Sequence, residues 1–477
     1  MYDVIIIGAG VIGTNIAKEL SYYDLKLAVI EKNNDVCEET SKANSGIVHS
    51  GYDATPNTLK AKYNVLGNKM MASTCKELDV PFIQNGSLII GFSEEDLLAL
   101  QSLQLQGIEN GVEGLKILNK DEIFKMEPQL HPEVLYALYA PTGGIVDPFQ
   151  LTIAPAEVAF QNKTEFFFNT FVEGISNLSD FFEIQTNQGK MYSKSIVNAA
   201  GIHSDTINNY VSQHKLDIRP RKGEYCLFDK EVGNIVHSTI FQLPSSKGKG
   251  VLVTPTAEGN LLIGPSSIFV EGKEDTATTL EGVQYILEKA SSSIKSIPFS
   301  KVITGFAGLR ASEIGKDFVI GESPDVKNFY NAAGIESPGL TAAPAIALDL
   351  ALEISLKLHA KKKEHFISTR KAFPRFESQT MAEKKRLIEE FPEYGKIICR
   401  CELVTLAEIK NAIHRPLGAK TVDAVKRRTR AGSGRCQGGF CSPRVLEILA
   451  KELHKDVREI SKFNEKSTFL VGLDKEL

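Results

Sequence analysis

"DVIIIGAGVIG", residues 3–13, joins an apolar run to three glycines spaced G-x-G-x-x-G. The run has the unbroken apolar pattern of a buried strand, and helical periodicity follows in "IAKEL" at 16–20. "LKLAVIEK" at 25–32 reads as a second strand. Together they predict a strand–helix–strand unit that binds a dinucleotide. Gly8 permits the tight turn, Gly10 lets a pyrophosphate approach the backbone, and Gly13 lets helix pack on strand. The helix N-terminus then faces the negative charge. Glu31 ends the second strand, where a carboxylate about 20 residues past the glycines accepts hydrogen bonds from ribose hydroxyls.

Further along, "GSLIIGF" (86–92), "VLVTPT" (251–256) and "NLLIGP" (260–265) read as closely spaced strands. They predict an antiparallel sheet inserted into the nucleotide-binding fold. "SKSIVNAAG" (193–201) and "VKNFYNAAG" (326–334) are two strand-to-glycine transitions with the same ending. The second leads into "IESPGLTAAPAIALDLALEISLKL", where Ser, Pro and Gly precede a long helix. A helix N-terminus there would favour the negative charge of a reduced flavin, so the dinucleotide is read as FAD rather than NAD. The expected fold class is α/β: an FAD-binding Rossmann-like domain with an inserted, mostly antiparallel substrate-binding sheet.

The chain has 477 residues, 42% hydrophobic and 24% charged, enough for two or three domains. A net charge of -4 creates no field that would call for nucleic acid or an anionic membrane. The N-terminus lacks the basic region and cleavage site of a signal peptide, and no uninterrupted apolar stretch approaches the ~20 residues of a bilayer span. The reading is a cytoplasmic protein without a transmembrane segment, with peripheral contact at the inner face of the cell membrane left open.

The opening motif, "TSKANSGIVHSGYDATPNTLKA" (40–61), "GFAGLRA" (305–311) and "NAAGIESPGLTAAPAIA" (331–347) together resemble the D-amino-acid-oxidase/glycerol-3-phosphate-dehydrogenase superfamily of FAD enzymes. Within it they are most similar to glycerol-3-phosphate dehydrogenases or oxidases and L-2-hydroxyglutarate oxidases. The resemblance covers roughly residues 1 to 356 and is specific for the superfamily more than for a substrate. It implies FAD contacts at Gly8, Gly10, Gly13, Glu31, Asn44, Ser45, Val172, Gly201, Gly334, Gly339, Leu340 and Thr341.

Oxidising a secondary alcohol by hydride transfer requires removal of the hydroxyl proton, work suited to a histidine. His49, in "NSGIVHSG", is therefore the candidate base, and Ser45 a hydrogen-bonding group for flavin or substrate. The blander alternative is that His49 is a structural histidine. Arg310 is the candidate for the anionic end of the substrate, because a guanidinium fork binds carboxylate or phosphate bidentately. Lys249, in the glycine-flanked loop "SSKGKGVLVTP", could add a second positive charge or be a solvated loop lysine. These residues imply a small anionic hydroxy substrate and do not separate phosphate from carboxylate.

Of seven cysteines, Cys37, Cys75 and Cys226 are scattered, whereas Cys399, Cys401, Cys436 and Cys441 cluster as C-x-C and C-x4-C. Four clustered cysteines in a reducing compartment argue for metal or cluster ligation, with zinc and iron–sulfur both open on residue type alone. Residues 397–449 resemble the bacterioferritin-associated-ferredoxin-like [2Fe-2S] domain, in which the glycines of "GRCQGGFC" (434–441) let backbone amides bond cluster sulfurs. Nearby Lys426, Arg427, Arg428, Arg430 and Arg435 form a basic run that offsets cluster charge, docks an acidic partner, or is merely a solvated face.

The expected organisation is an oxidoreductase domain over 1–356, a basic linker over 357–395, a small helical [2Fe-2S] domain over 396–452 and a tail over 453–477. This order resembles the catalytic subunits of anaerobic glycerol-3-phosphate dehydrogenases. The resemblance implies oxidation of glycerol 3-phosphate to dihydroxyacetone phosphate, with electrons passed singly through the cluster to a redox partner protein or subunit. A 2-hydroxyacid oxidoreductase is the alternative within the same chemistry. An iron–sulfur redox module without turnover is the alternative from another class.

Overall fold

The computed structural model describes residues 1–243 and 250–472. They fall into two compact units, one of Met1–Lys32 and Val36–Thr369, the other of Asn33–Asp35 and Arg370 onward.

In the first unit the strand Tyr2–Ile7 is central, with Val4, Ile5 and Ile6 fully buried. Leu27–Ile30 and Gly189–Asn198 flank it in parallel. Glu165–Phe167 continues the parallel order beyond Leu27–Ile30, and Phe329–Ala333 pairs in parallel with Gly189–Asn198. The parallel core therefore delivers Gly8, Glu31, Gly201 and Gly334 just past the carboxyl ends of its strands, where open α/β sheets bind ligands. Three antiparallel strands, Val172–Asn177, Phe182–Thr186 and Val319–Glu322, bring the sheet to eight among the described residues.

A second sheet, of nine strands among the described residues, holds the inserted segments. The predicted strands are observed as Ser87–Gly91, Leu252–Pro255 and Leu261–Gly264. Pairing is antiparallel except between Thr239–Gln242 and Ser87–Gly91, which run parallel. Its apolar side packs Leu88, Ile90, Phe228, Val253 and Ile263 into one core. Two long strands, Ile218–Phe228 and Val302–Glu313, pair antiparallel along almost their full length.

The predicted long helix is observed as Gly339–Lys357. Asp349 and Glu353 interrupt its apolar run, yet by length and composition alone the helix suffices to cross a membrane. The expectation concerned uninterrupted apolar stretches, and this helix is not one. Two thirds of its apolar window is buried in this unit, with Ala343, Ile346, Ala347, Leu350 and Ile354 inside. It packs against the helices Val11–Leu20 and Leu59–Leu78.

The second unit is mainly helical, as expected. Its helices Met381–Glu390, Leu406–His414, Val422–Thr429 and Ser442–Leu453 accompany one short pairing of Ile397–Cys399 with Val404–Thr405. Thr405 and Glu408 form a capping box that satisfies backbone donors at the entry to Leu406–His414. Ile409, Ile413, Val425, Leu446 and Leu449 form the core. The stretch read as a linker contains the helix Met381–Glu390, itself started by a Thr380/Glu383 capping box.

Candidate active site

The glycine loop is built for close approach. Gly8 has φ of +106°, and a Cβ there would stand 2.4 Å from the Ala199 carbonyl oxygen. A Cβ on Gly13 would stand 1.9 Å from the Gly8 carbonyl oxygen, so only glycine lets the helix Val11–Leu20 sit this close to the strand before it. Two side chains brace the loop. Glu31 Oε2 accepts from the Ala9 N–H at 2.8 Å, and Ser41 Oγ accepts from the Val11 N–H at 2.9 Å.

Beside the loop lies a cavity of about 460 Å3, lined by Gly10, Ser45, His49, Gly201, Arg310, Ser337 and Leu340 among others. His49 is held at three points. Its N–H donates to Thr341 Oγ1 at 2.9 Å, its carbonyl accepts from Asn68 Nδ2 at 3.1 Å, and its Nε2 lies 3.2 Å from Ser337 Oγ. Its ring also meets that of Phe241 at 5.8 Å between centroids. Arg310 Nη2 donates to the Ser266 carbonyl at 3.1 Å. A fixed imidazole and a guanidinium thus share one half-enclosed space, the arrangement that deprotonating an anionic alcohol needs.

In the second unit the four clustered cysteines form two close pairs. Cys401 and Cys436 lie 3.7 Å apart, and Cys399 and Cys441 are hydrogen-bonded to each other. The Cys441 thiol, with the N–H groups of Gly432 and Glu402, holds Cys399 below the ordinary thiol range against the effect of burial. The same bond pushes Cys441 up. Cys436 is lowered despite its burial by the N–H groups of Phe440 and Gly438 and by Cys401. Backbone donors aimed at paired sulfurs are what a thiolate-held cluster requires. Among the described residues no three His, Cys, Asp or Glu side chains converge as a single metal ion would need.

Residues 3–352 match the sequence family described as FAD dependent oxidoreductase. The chain belongs to that family. Residues 397–451 match the BFD-like [2Fe-2S] binding domain. A glycerol 3-phosphate dehydrogenase of Caloramator mitchellensis is 51% identical over 99% of this chain and 98% of its own. A glycerol 3-phosphate oxidase of Mycoplasma genitalium is 36% identical over 75% of this chain and 96% of its own. Among solved structures, the dithionite-reduced L-alpha-glycerophosphate oxidase of Mycoplasma pneumoniae with FAD bound has a TM-score of 0.74 at 32% identity, covering 78% of this chain and 99% of that one. The protein is therefore an FAD-dependent oxidoreductase carrying a [2Fe-2S]-binding domain.

The family's cofactor fits the residues present, because the glycine cradle that a Cβ would fill opens on the same cavity as His49. Of the expected FAD contacts, Gly10, Asn44, Ser45, Gly201, Gly339 and Leu340 line that cavity, while Gly8, Gly13, Glu31 and Thr341 stand behind it as supports. The Asn44 side chain fixes its own loop, donating to the Thr40 and Ser41 carbonyls and accepting from the Gly46 N–H. Gly334 has φ of +64° at the end of its strand, and Val172 begins an edge strand, packed on an apolar cluster with Ile5 and Ile30. Neither lines the cavity. Lys249 lies outside the described residues.

Sequence reasoning missed Lys60, Arg221, Glu336 and Ser337, all on the cavity wall. Glu336 and Ser337 carried a weak signal in their place in "GIESPGLT" at a helix entry, and Lys60 in the stretch 40–61. The basic run of the second unit needs correction. Arg427 and Arg428 are buried on Asp35 at 2.7 Å each, and Arg430 donates to Glu402 at 2.7 Å. Three of the five are therefore not a solvated face, because Asp35 and Glu402 engage them, whereas Arg435 is exposed.

Proposed function

We propose that the protein oxidises glycerol 3-phosphate at C2 to dihydroxyacetone phosphate. The observation that carries the reading is the meeting of His49, Ser337 and Arg310 on one cavity beside the glycine cradle. The names of the 51%-identical dehydrogenase and of the oxidase relatives support the substrate.

When bound, FAD supplies the acceptor for the C2 hydride. The chain's own residues do the rest. His49 Nε2, in the neutral tautomer with its lone pair there, accepts the C2 hydroxyl proton. Two backbone bonds fix the position of the residue, and the Ser337 hydroxyl and Phe241 ring hold the imidazole, so the proton leaves along a fixed direction. The Ser337 hydroxyl bonds the substrate oxygen as charge develops on it. Arg310 takes the phosphate and so sets which carbon faces His49. The four cysteines would hold the [2Fe-2S] group, which would supply one-electron exchange with a redox partner protein.

Mixing the anoxic holoenzyme with glycerol 3-phosphate and, separately, with L-2-hydroxyglutarate while following flavin bleaching tests the reading. Rapid bleaching by glycerol 3-phosphate alone is expected. Bleaching by hydroxyglutarate alone would replace the phosphate reading with a carboxylate one.

A further inference from the structure

Lys60 lies in the first turn of the helix Leu59–Leu78, Arg221 lies in the strand Ile218–Phe228, and Glu336 precedes the helix Gly339–Lys357. The fold brings all three to the wall that carries Arg310. Lys60 Nζ donates to Glu336 Oε1 at 2.8 Å, and Arg221 Nη2 donates to Glu336 Oε2. The Glu336 side chain is only 9% exposed. Burial pushes its carboxyl up, but Arg221 and Lys60, with Arg310 adding, hold it below the usual carboxylate range. Glu336 is therefore ionised and wholly engaged.

The cations are not matched. Arg221 and Arg310 stand directly opposite each other across the antiparallel ladder. Side chains so placed share one face with Cβ atoms ~5 Å apart, where like charges repel. Gly223 makes room for this crowding, since a Cβ there would stand 2.4 Å from Arg310 Nη2. Arg221 Nε is buried with no hydrogen-bond partner. Arg310 has no carboxylate within salt-bridge distance among the described residues, only the Ser266 carbonyl. Asp53 and Lys316 also reach the cavity and offset one another in charge. Three cations thus face one carboxylate, a surplus of two positive charges in a half-buried wall, where charge is poorly screened.

We propose that Arg221 is a second phosphate-binding residue, sharing the substrate's dianion with Arg310, and that Glu336 is a built-in anion that keeps Arg221 and Lys60 in place until the phosphate arrives. The surplus of two matches a phosphate dianion bound at this one wall, whereas each carboxylate of a hydroxy diacid brings a single charge to it. The pair of arginines thereby sets preference for phosphate. This rests on the glycerol 3-phosphate reading.

The test compares wild-type, Arg221→Gln and Glu336→Gln holoenzymes. Anoxic flavin reduction gives kcat and KM, and inorganic phosphate is titrated into the oxidised enzyme while the visible flavin spectrum is followed. Arg221→Gln should raise KM for glycerol 3-phosphate about 10- to 100-fold, as expected for one charge-assisted bond. It should leave kcat within about threefold, because the bond is made equally in ground and transition states. Inorganic phosphate should weaken in parallel at unchanged FAD content. Glu336→Gln should instead tighten inorganic phosphate roughly 3- to 10-fold, since a competing carboxylate is removed. Wild-type values for Arg221→Gln, in an enzyme that still oxidises glycerol 3-phosphate, would overturn the assignment and leave the reaction standing. A wild-type enzyme that glycerol 3-phosphate does not bleach would overturn both. Should Arg221→Gln fail to retain FAD, unchanged or weaker phosphate binding by Glu336→Gln overturns the proposal.

Discussion

His49 Nε2 and Ser337 Oγ lie 3.2 Å apart although 288 positions separate them in the chain. The contact joins the segment after the dinucleotide-binding unit to the entry of the helix Gly339–Lys357, and Thr341 repeats the join from inside that helix. The candidate base is thus held by the element that closes the first unit.

Replacing His49 by alanine should slow flavin reduction by glycerol 3-phosphate about 10²- to 10⁴-fold, the usual share of a general base, while FAD stays bound. Ser337→Ala should cost about tenfold, because it removes one neutral hydrogen bond to the substrate oxygen and leaves the base in place. Stopped-flow bleaching under anoxia measures both. Wild-type bleaching by His49→Ala would remove His49 from the role.

Gly13→Ala should purify with little FAD. The added methyl would meet the Gly8 carbonyl at 1.9 Å, so the helix must move off the strand and the cradle widens. The ratio of visible flavin absorbance to protein reports the loss. Full FAD occupancy would show that the loop absorbs the methyl at no cost to binding.

Cys401→Ser should lose iron and acid-labile sulfide yet keep substrate-driven flavin bleaching. Transfer to a one-electron protein acceptor should fall by at least about tenfold if the cysteine-held group is the exit for electrons. Unchanged transfer in a protein shown to lack iron would mean that electrons leave by another route.

Asp35 is buried, and although burial raises its carboxyl, Arg428 and Arg427 bring it below the ordinary value of 3.8. A folded-state value below the unfolded one means that its contribution is fully present above about pH 4 and is lost as pH falls through the depressed value. Asp35→Asn should therefore destabilise the second unit by about 3–5 kcal/mol near pH 7, because two buried guanidinium groups lose their countercharge. The gap to wild type should narrow below about pH 4. Chemical denaturation across that range checks the sign, and a gap that widens toward acid would refute it.

Much of the fold was legible because its signals are local. The glycine spacing at Gly8, Gly10 and Gly13 and the apolar runs at 3–7, 86–92 and 260–265 each encode their element within a few residues. His49 and Arg310 were legible through the motifs that surround them. Arg221 was not, because what makes it part of the site is its register opposite Arg310, a pairing between strands more than seventy residues apart. Glu336 and Lys60 sat inside the quoted motifs, but their pairing with each other and with Arg221 joins positions 115 to 276 residues apart and leaves no local pattern. The basic run misled in the other direction. Charge counting detects Arg427, Arg428 and Arg430 but not Asp35 and Glu402, which neutralise them from distant positions.

The countercharge of Arg427 and Arg428 comes from Asn33–Asp35, a three-residue segment near the start of the chain that belongs to the second unit. A cysteine-bearing fragment begun at Arg370 would inherit both arginines without that carboxylate. The iron–sulfur unit is therefore not a portable cassette: moving it to another protein means grafting an acid for those two arginines along with it.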